Sequence, residues 1–253
     1  MAESEIQLER LRSPEVQKRL VEGWRTAIFA VGAVEQHGPH LPMFVDAEHG
    51  TALALAVARK AGRTMVAPTV RVGCSEHHMD FAGSLTLRTS TFEAVCTDYC
   101  TSLARHGFER IWIVPTHGGN FEPLIGMQPA LQEAVGPDVR IAISANLMQL
   151  TECWQRVTQE QTGLGERVGG HADIAETSLM LHLHPYLVRE DLAVGGFMPD
   201  LHLEAFRRII AEGFRKVTPT GILGDARGGT AELGRALIDA LADLVLADLR
   251  LGA

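Results

Sequence analysis

The chain has 253 residues, 46% of them hydrophobic and 21% charged, with a formal net charge of −8. That composition belongs to a globular protein with room for a sizeable core, and the acidic balance excludes a protein built to neutralise a nucleic-acid backbone. The charged, amphipathic start MAESEIQLERL is not a signal peptide and no apolar run reaches the length of a bilayer, so a cytoplasmic protein with no membrane or nucleic-acid partner is expected.

The elements follow in order. Residues 4–21 carry Ile6, Leu8, Leu11, Val16 and Leu20 near helical spacing, with Ser13-Pro14 as a helix start. A buried strand is predicted over 26–34, and a packed, alanine-rich helix over 47–61. Strand 65–72 leads into a glycine-bounded loop at 73–83 with His77 and His78, then a helix over 91–106. Cys96 and Cys100 lie one turn apart on that helix, and with Cys74 and Cys153 they show neither zinc-knuckle nor disulfide spacing, so reduced cysteines are expected. Strand 110–115 enters the loop THGGN, followed by a helix over 122–135 and a strand over 139–145. Residues 158–170 read as a polar loop long enough to cover a site. A helix over 171–182, an irregular stretch at 195–202, an amphipathic segment at 203–215, a loop at 218–229 and a long closing helix over 230–249 complete the chain. Strand and helix alternate four times. This predicts an α/β three-layer sandwich with a mostly parallel central sheet, and the absence of repeats or linkers favours a single domain over 1–253.

The stretch VGAVEQHGPHLPMFVD, 31–46, organises the chemistry. Gly38, Pro39 and Pro42 force a loop at the end of the buried strand, where open α/β sheets place their sites. Glu35 and His37 are two apart and Asp46 returns after the loop, so carboxylates and imidazoles can converge on a divalent cation such as zinc. Alone, an EQH tripeptide reads better as a polar surface loop. Three further polar loops, at 74–83, 116–120 and 169–177, can meet it, bringing His78, His117, Asn120, His171 and Glu176. A dinucleotide site is disfavoured because no GxGxxG follows the first strand, and a serine hydrolase because no GxSxG elbow exists. Cys74 is the one cysteine in a loop among these histidines.

VEQHGPHLP, Asp46, HGGN at 117–120, HADIAETS at 171–178, FAG at 81–83 and TPTGILGD at 218–225 occur in the order in which they occur in the creatininase (creatinine amidohydrolase) family, which this chain resembles over about residues 25–245. The resemblance implies an α/β sandwich, a hydrolytic site with two divalent ions (zinc, manganese or iron) and a homo-oligomer such as a hexamer. Carried over by position, Glu35 and His117 are ligands of one ion and His37 of the other, with Asp46 bridging them. His171 is implied as the histidine that handles the proton of the leaving nitrogen. One departure matters. Creatinine hydrolases have a second-ion glutamate where this chain has Gly119, so Glu176 is expected in its place, both as ligand and beside His171 in catalysis, with Glu122 the weaker candidate. The tryptophans and acid that hold creatinine are replaced by Glu166, Arg167 and Gly170. The expected reaction is hydrolysis of a carbon–nitrogen bond in a cyclic amide, formamide or short peptide, with creatinine disfavoured. His78 and His40 are expected to bind substrate or brace ligands, and Asn120 to contact substrate or orient its loop. The branch that trims the mycofactocin precursor peptide is the nearer match, the deformylases of formylamino-pyrimidine nucleotides another. A metal-binding relative without turnover is the alternative outside enzymes.

Overall fold

The computed structural model describes residues 5–198 and 203–252. Its centre is a parallel sheet of β1 (Thr26–Val31), β2 (Thr64–Val66), β3 (Arg110–Pro115) and β4 (Arg140–Ile143), in the order β2-β1-β3-β4. Every residue of β1 is buried, as expected of a central strand covered on both faces. Its side chains alternate: Ile28 and Ala30 enter one core, Ala27, Phe29 and Val31 the other. Phe29→Ala would therefore cost about 3–5 kcal/mol.

Helix α1 (Ser13–Val21), α3 (Thr89–Arg105) and α4 (Phe121–Val135) cover the face that buries Phe29, Phe92 and Leu124. The opposite layer consists of α2 (Val45–Ala61), α5 (Leu147–Thr162), α6 (Ile174–Leu183) and α9 (Ala231–Leu251), packed around Leu53, Trp154, Leu179 and Leu237. A short antiparallel pair, β5 (Val168–His171) and β6 (Leu223–Gly224), lies apart from the main sheet, and α7 (Leu203–Glu212) and α8 (Phe214–Val217) connect between them. The three layers expected from the strand–helix alternation are present.

The chain runs from β1 outward to β2, then crosses β1 to reach β3. The order therefore reverses between β1 and β3, and the carboxyl ends of those two strands open onto a shared crevice. Gly32 brings α2 down onto it: a Cβ there would stand 2.7 Å from the Ala47 backbone. The first turn of α2, with Asp46, is thereby held against the end of β1.

Several boundaries differ from expectation. Residues 8–10 form a separate 3-10 turn, so the first helix starts only at Ser13, with Pro14 in its first turn. β1 ends at Val31 instead of residue 34, since Val34 pairs with Leu85 across a loop. The expected cover loop at 158–170 is half helix: α5 runs to Thr162, capped at its start by Asn146, whose side chain accepts from the Gln149 amide. The cavity is covered instead by Ile209, Ile210 and Phe214 of α7 and α8. His171 ends β5, and α6 begins only at Ile174. Of the irregular stretch expected at 195–202, residues 199–202 lie outside the described residues.

Candidate metal centre

Four segments converge at the switch point: the loop after β1, the first turn of α2, the loop after β3, and the β5–α6 junction. They bring Glu35, His37, Asp46, His117, His171 and Glu176 together, all buried. Among the described residues, three groups have ligand atoms within 4.8 Å of one another: Glu35, Asp46 and His117; His37, His171 and Glu176; and Glu35, His78 and His171.

Backbone acceptors set the imidazole tautomers, because a carbonyl oxygen can only accept. His37 donates its Nδ1 hydrogen to the Glu35 carbonyl at 3.1 Å, so Nε2 is the nitrogen that takes up a proton or a cation. That Nε2 stands 3.5 Å from Asp46 Oδ1 and 3.7 Å from Glu176 Oε2. His117 donates its Nε2 hydrogen to the Cys74 carbonyl at 3.0 Å, leaving Nδ1 bare, 3.2 Å from Glu35 Oε2 and 3.6 Å from Asp46 Oδ2. Asp46 thus turns one oxygen to each imidazole. His37 Nε2, Glu35 Oε2 and Asp46 Oδ2 are buried without a hydrogen-bond partner. Oxygen and nitrogen lone pairs aimed at one another and left unsatisfied fit a cation between them, since each such atom otherwise costs about 1–3 kcal/mol.

The electrostatics agree. Burial opposes the charge on Glu35, yet His117, His78 and His171 outweigh it and hold its carboxyl well below the usual range. Burial, reinforced by the charge of Glu35, pushes Asp46 up to about 6. For His117 burial is outweighed by Glu35 and Asp46, which push it up to about 9, and for His37 it is outweighed by Glu176 and Asp46, which raise it well above the ordinary value. Three buried carboxylates around two bare imidazole nitrogens demand positive charge, from protons or from bound cations.

Gln36 organises the remaining histidines. Its Oε1 accepts from Gly38 N, which fixes the amide, and its Nε2 lies 3.1 Å from the Gly221 carbonyl, 3.1 Å from His78 Nδ1 and 3.0 Å from His171 Nε2. Because His171 Nε2 donates its hydrogen to the Gln36 main-chain carbonyl, the two amide hydrogens go to Gly221 and His78. His78 must then carry its hydrogen on Nε2, which it donates to Glu35 Oε1 at 3.2 Å. This bond braces Glu35 and satisfies the third group without an ion. His171 turns its bare Nδ1 inward, 3.8 Å from Glu35 Oε1 and 4.0 Å from Glu176 Oε2. Burial, then the neighbouring His37, lowers it to about 4, so it is neutral. Glu176 is seated by the amide hydrogen of Ala172, a non-glycine residue at φ +53, a conformation costing about 1–2 kcal/mol. Asp173 caps α6 through Ala175 N and Glu176 N and also accepts from Gly169 N and Gly170 N.

Asn120 and His40, each expected either at the substrate or in a supporting role, do not line the cavity. Asn120 is fully buried with its amide committed: Nδ2 donates to the Val31 and Gly32 carbonyls, and Oδ1 accepts from Cys74 N. It ties the loops together and does not line the cavity. His40 is also buried away from the cavity, its Nε2 bonded to Thr177 Oγ1 at 2.8 Å. Of the three, His78 alone lines the cavity. Glu122 is exposed on α4 and does not line it. A Cβ at Gly119 would stand 2.2 Å from the Cys74 carbonyl oxygen, so no acid can enter from that position as the backbone stands. Burial raises the Cys74 thiol, the opposite of what a nucleophile needs. Sequence reasoning missed Gln36, His49 and Trp154. The last two line the cavity beside Leu53, Leu150 and Leu241. Trp154 lines the cavity from α5, upstream of residues 166–170. No local pattern marked these residues.

Comparison with known proteins defines the class. A family model described as creatininase, creatinine amidohydrolase, matches residues 9–249. A mycofactocin precursor peptide peptidase of Mycobacterium ulcerans (strain Agy99) is 32% identical over 236 residues, 89% of this chain and 84% of that protein. The solved structure of a creatininase titled as the Mn form superposes with a TM-score of 0.77 at 25% identity, covering 98% of both chains. An E122Q mutant creatininase of Zn-Zn type gives 0.76 at 25% identity, covering 97% of this chain and 99% of that one. The chain belongs to the creatininase family, whose members are hydrolases acting on carbon–nitrogen amide bonds.

Proposed function

We propose that this chain is a two-metal amidohydrolase that cleaves a carbon–nitrogen bond in a short peptide or other small amide. Glu35, Asp46 and His117 would hold one divalent ion, and His37, Asp46 and Glu176 the other. The observation that carries the reading is the division of Asp46, with Oδ1 toward His37 and Oδ2 toward His117, both imidazoles presenting bare nitrogens. When bound, such ions supply a water acidic enough to lose its proton near neutral pH (pKa about 7) and an electrophile for the amide carbonyl.

The protein's own groups perform the rest. His171, neutral and with Nδ1 facing the cluster, can take a proton and return it to the leaving nitrogen. The Gln36 carbonyl fixes its ring and tautomer. The apolar walls of the cavity, Leu53, Phe121, Leu150 and Leu241 among them, exclude water and receive the substrate's apolar part. The similarity to a peptidase of the mycofactocin precursor favours a peptide, and Gly119 disfavours creatinine. Exposed apolar side chains at Tyr186, Phe197 and Met198 support a homo-oligomer.

The test is release of new amine from formamides, cyclic amides and short peptides by protein loaded with zinc or manganese. Turnover of a peptide or small amide, lost on chelation, is expected. A protein that holds both ions and cleaves none of them would be a metal-binding relative without turnover.

A further inference from the structure

The ion chamber, as it stands, is too small for a peptide amide. Its free volume is about 60 Å³, whereas a cavity of about 150 Å³ is what one benzene molecule occupies, and any dipeptide is larger than benzene. Part of the wall must therefore move. Phe214 closes the chamber over the histidines: its ring stacks on His78 with centroids 4.1 Å apart and lies 4.7 Å from the ring of His171. Ile209 and Ile210 of α7 complete this side of the wall. Ile210 also lines a second groove, of about 490 Å³, which runs along Leu87, Arg88 and Pro123, so it is shared between the chamber and an outer path.

Three features make this side the movable one. Ile209 and Phe214 belong to neither main core; with Leu223 they form a small cluster of their own, against which Phe81 and Val217 pack. Helix α8 is a single turn of four residues. The α7–α8 junction is Gly213, at φ +90 and ψ 144, a backbone conformation nearly confined to glycine, and a Cβ there would meet nothing closer than 3.6 Å. The junction is thus set by its torsions and not by packing. Segments with few buried apolar contacts open before the core does, and hinges lie at element ends that absorb a φ/ψ change. We propose that Phe214 is the gate of the chamber: the α7–α8 junction swings about Gly213, lifts the ring off His78 and His171 and moves Ile210 aside, and a peptide amide reaches the ions from the outer groove only while the gate is open. This rests on the reading of the cavity as the substrate chamber. Closure over the bound amide then keeps bulk water from the reacting bond.

The experiment labels the full-length, metal-free protein with para-fluorophenylalanine and follows ¹⁹F NMR, the Phe214 signal being the one missing from Phe214→Leu. In the wild type the Phe214 fluorine should show exchange on the microsecond-to-millisecond scale in relaxation dispersion, and the fluorine of Phe29, buried in the sheet, should show none. Gly213→Ala penalises the closed torsions and should raise the open population about tenfold. A second readout is modification of His171 by diethylpyrocarbonate, located by mass spectrometry. It should quicken by the same factor in Gly213→Ala, while His40, buried away from the cavity, reacts as in the wild type. A Phe214 fluorine as static as that of Phe29, or a folded Gly213→Ala protein whose His171 reacts no faster, would each overturn the gate, and the wild-type measurement decides alone if the variant does not fold. Neither readout uses a metal or turnover, so the result stands apart from whether the chain cleaves amides, which metal content and amine release decide.

Discussion

His171 donates its Nε2 hydrogen to the Gln36 carbonyl at 2.9 Å, and this bond turns the bare Nδ1 toward Glu35 and Glu176. A ring held this way is placed to move protons at the edge of the ion cluster. His171→Ala should leave the metal content unchanged and slow turnover by roughly a hundredfold or more, the usual contribution of a general acid–base. Loss of the ions along with activity would show His171 to be a ligand instead.

Asn120 makes three buried bonds to the backbone of two loops. Asn120→Ala strands the Cys74 amide and the Gly32 carbonyl, each worth about 1–3 kcal/mol, while the Val31 carbonyl keeps the Thr116 amide. Urea unfolding should show a loss of at least about 2 kcal/mol, with weakened metal retention because the Cys74 carbonyl orients His117. Unchanged stability would mean that water replaces the amide without cost.

Gly119 is a steric requirement. Its Cβ would collide with the Cys74 carbonyl and His117 Nε2. Gly119→Glu, which restores the acid of creatinine hydrolases, is expected to destabilise the fold by about 3 kcal/mol or more and to confer no creatinine hydrolysis. Thermal denaturation and a creatinine assay check both parts.

His49 also predicts a pH dependence. Its folded value of about 4 lies below the ordinary 6.5, so below pH 6.5 the unfolded chain binds a proton that the folded one refuses. The contribution of the buried neutral ring is therefore intact above pH 6.5 and lost as pH falls toward 4, by roughly 2 kcal/mol between pH 7 and pH 5. His49→Phe should flatten this acid limb in denaturant midpoints measured at the two pH values. An unaltered limb would contradict the burial of a neutral ring.

The sheet was legible because β1 and β3 are continuous apolar runs, and a run buried on both faces announces itself. Helix α5 was not, because its last turns read TQEQT: with the apolar face reduced to Cys153, Trp154 and Val157, tertiary packing decides there. β6 has two residues, too short for any period. The ion-binding candidates were legible since each lies in a loop after a strand or in the first turn of a helix, with His37 and His117 next to glycines. Gln36 was not, although it sits between Glu35 and His37, because its role exists only once His78, His171 and Gly221 are brought to it from three distant segments. His49 was hidden in an alanine-rich helix for the same reason.

The central claim is that Asp46 joins two ion sites, and metal stoichiometry tests it most directly. Elemental analysis of zinc- or manganese-loaded protein should give about two ions per chain, falling to about one in Glu176→Gln and to none in Asp46→Ala, with all three proteins folded by circular dichroism. A wild type that binds no ion, or an Asp46→Ala protein that keeps two, would contradict the account.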